Sequence, residues 1–180
     1  MPHVDLLELP YFEGISLDRL VSLVDLMRPV SFEKNAVIMR EGEGIDTPLI
    51  IATSGKVLIT KSMDNGEPRS LARLQSPTLF GEIELFCQIP PVCSATATTP
   101  VTGFALDRPT FDELFASRNP AVVTFTFNVA RVACHRLAIA DEMLARVLTE
   151  EDLCGLRQTV FSRLNDDNAW RHTTGAFKVR

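Results

Sequence analysis

The sequence predicts a mainly β fold with flanking helices: a closed barrel or sandwich followed by one long helix. Three observations carry that expectation. Short β-branched runs recur between residues 28 and 107, divided by Gly, Pro, Asn and Asp. An Asn65-Gly66 dipeptide between two such runs is a strong hairpin signal, because Gly readily takes the positive φ of a tight turn. After Asp107 the apolar period turns helical and remains so to residue 148.

Taken in order, the loop-like LPYFEG precedes SLDRLVSLVDLM, where Ser16 occupies an N-cap position. Leu17, Leu20, Val21, Leu23 and Val24 then mark an apolar face at helical spacing. Strands are expected at RPVSFEK, AVIMREG, PLIIATSG, KVLITKSM, SLARLQ, SATATT and VTGFALD. Their short, regular spacing indicates a barrel or sandwich and not a βαβ sheet. RPTFDELFASRNP reads as a short helix closed by Asn119-Pro120. The next segment, residues 119–148, reads as one long helix with two apolar stripes. Val122, Phe125, Val129, Val132, Ile139 and Met143 form the seam expected of a paired helix. Ala130, Ala133, Leu137, Ala140 and Leu144 form a neighbouring face suited to packing on the barrel. Two apolar faces on one helix predict a parallel homodimer. In residues 149–180, Thr149 before Glu150, Glu151 and Asp152 suits a helix start. A short amphipathic helix follows through Leu164, then a break at NDDNAW and a loose tail. The expected organisation is a barrel with its N-terminal helix (1–118), the long helix (119–148) and a segment of unassigned role (149–180).

Composition narrows the function. The 180 residues fit one domain plus an appendage, and a 46% apolar content can bury a real core. A net charge of −5 gives no global field for holding nucleic acid, so DNA is not an expected partner. Cys87, Cys93, Cys134 and Cys154 form neither a CxxC pair nor a zinc spacing, and read as small buried hydrophobes in a reducing cytosol. His3, His135 and His172 are too scattered to share a metal. The N-terminus lacks the cationic start and apolar run of a signal peptide, and no stretch reaches the ~20 apolar residues of a membrane span. A cytoplasmic location is therefore expected, with no membrane. Asp64-Asn65-Gly66-Glu67 lacks the ligand series of a calcium loop. Ser94 has no hydrolase-like His and Asp partners, so no catalytic apparatus or required cofactor is expected.

The informative segment is residues 80–99, FGEIELFCQIPPVCSATATT. Phe80-Gly81-Glu82 ends a strand and opens a short turn of helix through Ile83. Gly at such a junction lets backbone N–H groups approach an anion, and Glu82 can accept hydrogen bonds from ligand hydroxyls. The segment resembles the phosphate-binding cassette of the cyclic-nucleotide-binding domain family, which includes bacterial catabolite activator proteins and protein kinase A regulatory subunits. That pattern is FGE, two small or apolar residues, a leucine, a variable stretch, then Pro-Arg-Ala-Ala-Thr into a strand. This chain offers Phe80-Gly81-Glu82, Ile83-Glu84-Leu85 and Pro90-Pro91-Val92-Cys93-Ser94. Ser54-Gly55-Lys56-Val57, Arg40-Glu41-Gly42, and Leu106-Asp107-Arg108 with Phe111 and Leu114 resemble further family positions.

The resemblance implies a double-stranded β-helix, or jelly-roll, barrel followed by a long dimerisation helix. It also implies a ligand, cyclic AMP, cyclic GMP or a related small anion. The N–H near Gly81 would meet the cyclic phosphate and Glu82 the ribose 2′-hydroxyl. The amides of Val92 and Cys93, with the Ser94 hydroxyl, would complete the cradle. One departure is plain: Pro91, with neither charge nor N–H, stands where the family places its phosphate arginine. Losing that contact costs about 2–4 kcal/mol, or about 30- to 1,000-fold in affinity. Glu84 is an extra acid expected to repel an anion if it points inward, and the family's upstream Gly-Asp turn is replaced by Pro77-Thr78. Lys61, Arg69 and Arg73 are the basic residues able to substitute for the missing charge. The expected function is thus a regulatory sensor passing a ligand signal through a dimer helix. Its rivals are a catabolite-activator-type transcription regulator lacking its DNA-binding domain, since only 32 residues follow Leu148, and a ligand-free dimerisation or docking module.

Overall fold

The computed structural model describes residues 6–148 and 155. The expected helix and tail within residues 149–180 lie outside the described residues apart from Gly155. The described strands form two four-stranded antiparallel sheets. We number them β1 (Arg28–Phe32), β2 (Val37–Met39), β3 (Leu49–Ser54), β4 (Lys56–Ser62), β5 (Pro68–Gln75), β6 (Thr78–Phe80), β7 (Ser94–Ala97) and β8 (Val101–Leu106). The strand orders are β1-β8-β3-β6 and β2-β7-β4-β5. Neighbours in each sheet are mostly distant in sequence, as a jelly roll requires.

Seven of these strands are the β-branched runs of the sequence, and the eighth, β6, is the short strand that ends at Phe80. Its pairing with β3, Ile50 opposite Phe80, carries the chain to the edge of its sheet. β3 is buried over Leu49, Ile50, Ile51 and Ala52, which is why its apolar run does not alternate. A core cluster of Met39, Ile50, Ala52, Val57, Phe80, Ala95, Ala97, Val101 and Ala105 draws on both sheets. Small residues at Ala95, Ala97 and Ala105 let larger ones interdigitate. The β4–β5 hairpin turns at Asn65-Gly66 as expected: Gly66 has φ +79, and the Glu67 amide donates to Asn65 Oδ1 at 3.0 Å. β5 is an edge strand, largely exposed, with Pro68, Arg69 and Arg73 discouraging further pairing.

A 3-10 turn (Pro10–Phe12) and four α-helices complete the described elements: α1 (Leu17–Val24), α2 (Glu82–Cys87), α3 (Arg108–Ala116) and α4 (Pro120–Val147). Ser16 is the N-cap residue of α1, which buries Leu20, Leu23 and Val24. The Asn119 side chain accepts the Ala121 and Val122 amides at 3.0 and 3.3 Å, and so starts α4.

The chain divides into two compact units within α4, between Val129 and Ala130. In the first, Val122, Phe125 and Val129 are buried, and Phe125 stacks on Phe12 with ring centroids 5.6 Å apart. Buried Asn128 donates to the carbonyls of Tyr11 and Glu13 at 3.1 and 2.8 Å. The first three residues of the seam are thus used within the first unit. In the second, Ala130, Ala133, Leu137, Ala140 and Leu144 are exposed. Ile139 and Met143 of the seam are exposed as well.

At Gly103 in β8, an added Cβ would lie 2.1 Å from the Ile51 carbonyl oxygen and 2.9 Å from the Ala52 Cα. Backbone cannot yield there as a side chain would. Gly103→Ala is expected to cost at least about 1–3 kcal/mol in urea unfolding. Gly66→Ala meets open space and carries only the positive-φ penalty of about 1–2 kcal/mol.

Candidate functional site

β6 ends at Phe80, and the backbone turns left-handed at Gly81, φ +87. Only Gly fits there. A Cβ would come within 2.7 Å of the Pro48 carbonyl oxygen and 3.2 Å of the Leu49 Cα. The turn opens α2, and the Leu85 amide donates back to the Gly81 carbonyl at 3.1 Å. α2 spans six residues, too few for its dipole to dominate a site. It closes at Gln88, a non-glycine residue held left-handed at φ +53. Upstream, the Ser76–Pro77 peptide is cis.

The structure brings the expected site residues to one segment but gives them unequal access. Glu82 is partly exposed at the start of α2, and the Ile83 side chain is 43% exposed, leaving only its backbone directed by the turn. Val92 and Cys93 are half-buried, and Ser94 is the first residue of β7, opposite Thr60 of β4. The Ser94 hydroxyl accepts the Glu41 amide at 3.0 Å.

Glu84 is buried, only 5% exposed, and its carboxylate accepts the Val92 amide at 3.0 Å. The acid that the sequence marked as repulsive does point inward, onto an amide that the resemblance assigns to a ligand phosphate. Pro91 is buried, and its carbonyl accepts the Gly42 amide at 2.9 Å.

Of the three basic residues considered as substitutes, Lys61 reaches the segment. Its ammonium donates to the Val92 carbonyl at 2.7 Å and pairs with Glu41 at 2.6 Å. Glu41 in turn accepts the Ser62 amide at 2.8 Å. The Lys61 ammonium, then the Ser62 amide, hold the Glu41 carboxyl below its ordinary value. Glu41 holds the Lys61 ammonium above its own ordinary value. Arg69 and Arg73 lie exposed on β5. Glu41 as the counter-ion was missed. The signal available was Arg40-Glu41-Gly42, which marks a turn but not where the side chain goes. Burial raises the Cys93 thiol above its ordinary value, more than Lys61 lowers it, so at neutral pH it is the protonated thiol of a small hydrophobe.

α2 is also tied to the helix that follows the barrel. Arg108, at the start of α3, donates to the Leu85 carbonyl and pairs with Asp112 at 2.7 Å. Phe86 of α2 meets Phe111 of α3 edge to face, with centroids 5.3 Å apart. A separate cavity of about 490 Å³ is lined by residues 37–40 and 43–48, including Arg40, Glu43 and Asp46, and takes no lining from the 81–94 segment. Among the described residues no cluster of His, Cys, Asp and Glu fits a metal, and no helix is long and apolar enough to cross a membrane.

Comparison with known proteins agrees with this geometry. The chain is 29% identical over 137 residues to the CRP-like cAMP-activated global transcriptional regulator of Mycobacterium tuberculosis, covering 76% of this chain and 59% of that protein. It is 31% identical over 110 residues to acetyltransferase Pat of Mycolicibacterium smegmatis, covering 61% and 32%. The crystal structure of Thermus thermophilus catabolite activator protein superposes with a TM-score of 0.70 at 27% identity, covering 77% of this chain and 63% of that one. The chain thus spans less than two thirds of each of these proteins. The relatives are mainly regulators, with an enzyme carrying such a domain among them. Residues 29–118 match the cyclic nucleotide-binding domain, and the chain belongs to that family.

Proposed function

We propose that this chain is the regulatory module of an effector-responsive protein, taking a cyclic nucleotide at residues 81–94 and signalling through α3 to α4. One observation carries the reading. The helix formed by the candidate ligand segment is held to α3 by Arg108 and by the Phe86–Phe111 pair, and Asn119 starts α4 directly after α3. Displacement of α2 on binding therefore pulls on the element that leads into the long helix. In this reading Glu82 takes the ribose hydroxyl, the amides around Gly81 and Ile83 approach the phosphate, and Val92, Cys93 and Ser94 close the cradle. Lys61, paired with Glu41, is the basic side chain that reaches this segment where Pro91 brings no charge. The readout is a homodimer through α4, supported by exposed Leu137, Met143, Leu144 and Val147. A cytoplasmic setting and the absence of catalysis by this chain belong to the same proposal. The occupied Val92 amide and Pro91 favour a second reading, a ligand-free dimerisation or docking module.

Calorimetric titration with cyclic AMP and cyclic GMP separates the two. The sensor reading expects weak binding that falls about tenfold or more in Glu82→Ala, the loss of a charge-assisted hydrogen bond. No heat at high micromolar ligand would leave the docking reading.

The Lys61 pair has a pH signature. Because Glu41 is lowered on folding, its contribution is present above the ordinary carboxyl value and is lost as pH falls through the lowered one. Because Lys61 is raised, its contribution is lost only as pH rises through the raised value. The pair thus persists across the neutral range. Carbon-13 titration of the Glu41 carboxyl should show a midpoint below that of a free glutamate, moving upward in Lys61→Gln. An unmoved midpoint would separate the two residues. Lys61→Gln should also weaken cyclic-nucleotide binding by about tenfold.

A further inference from the structure

We propose that Glu84 is an internal anion of the ligand segment, one that holds the amide a phosphate would take and sets which ligands the site admits. The inference rests on the reading of residues 81–94 as the effector site. Glu84 is fixed there by backbone. The left-handed Gly81 and the Leu85-to-Gly81 hydrogen bond set the first turn of α2. The Gln88 amide donates to the Glu84 carbonyl at 3.0 Å as the helix ends. The following loop returns Val92 to the Glu84 carboxylate, and that return is what buries the acid.

The surroundings make the carboxylate a competitor. One N–H cannot serve two acceptors at full strength, and two anions at this separation repel more strongly where water is excluded. Pro91 beside it brings no charge, and the Lys61 ammonium is already engaged by Glu41 and by the Val92 carbonyl. A phosphodiester entering this segment must displace Glu84 from Val92 or approach it unscreened, whereas an uncharged, hydroxyl-bearing ligand meets no such opposition. Glu84 therefore lowers the affinity for phosphodiesters relative to uncharged, hydroxyl-bearing ligands. Were it only a brace for the loop after α2, its removal would lower stability and leave ligand preference unchanged.

The experiment is calorimetry of the full chain with cyclic AMP on the wild type, Glu84→Ala and Glu84→Gln. Amide spectra of Val92 accompany it. Glu84→Ala should bind at least about tenfold more tightly than wild type, a change of ~1.4 kcal/mol. Its Val92 resonance should shift without ligand and shift again on adding cyclic AMP. Glu84→Gln keeps an acceptor but loses the charge, and should gain about threefold. If Glu84→Ala is unfolded by circular dichroism, Glu84→Gln carries the test. Equal affinity in wild type and the folded variants, or no binding in any of them, overturns the role given to Glu84. A tight Glu84→Ala beside a silent wild type upholds it while removing cyclic AMP as the effector of the natural chain.

Discussion

The left-handed backbone at Gly81, pressed against the Pro48 carbonyl, is the constraint on which the site depends. A residue with a Cβ would have to move β6 away from the start of β3, and with it the strand pair that delivers Phe80 to the core. Because the turn is fixed, α2 begins at Glu82, and its helical repeat decides where each acid points. Glu82 stays at the open end and Glu84 goes inward. Leu85 is buried, and its carbonyl becomes available to Arg108. One glycine thus sets the roles of two carboxylates and the link to α3.

Burying a carboxylate is expensive unless it is paired or hydrogen-bonded. Here the Val92 amide provides a charge-assisted bond, stronger than a neutral one. The loop after α2 must fold back for that bond to form, and it does so despite a left-handed Gln88, a conformation costing about 1–2 kcal/mol for a residue with a Cβ. The Gly42 amide on the Pro91 carbonyl and the Lys61 ammonium on the Val92 carbonyl add further ties. The segment is therefore held by contacts from three directions: α2, the turn after β2, and β4. An effector acts on an arrangement that is already satisfied, and its binding free energy must exceed what these contacts contribute.

Strands, hairpin and helix limits were legible in the sequence because each has a local cause. Short β-branched runs, the Asn65-Gly66 turn and the Asn119-Pro120 boundary need no knowledge of distant residues. The candidate segment was legible through its resemblance, since Gly81 and Glu82 sit at family spacing. What stayed closed depends on tertiary placement. No spacing rule pairs Glu41 with Lys61, which are twenty residues apart, one in the turn after β2 and the other on β4. The direction of Glu84 depends on the return of a loop eight residues away. The apolar stripe of α4 runs from Val122 to Met143 with a break at Arg136, yet Phe12 and the chain around it claim its first turns. Periodicity reports that a face is apolar, not which surface covers it.

A regulatory domain needs two arrangements that a ligand binds unequally. In the proposed reading the differential is built around Glu84. With its carboxylate on Val92, α2 and the returning loop are joined without any ligand, and α3 is held to α2 by Arg108 and Phe111. In that reading, a ligand that displaced Glu84 would act on the helix that also carries Leu85 and Phe86. Those two residues are the ones that α3 touches. The coupling therefore requires no long relay: the residue that competes with the ligand and the residues that meet α3 lie on a single helix of six.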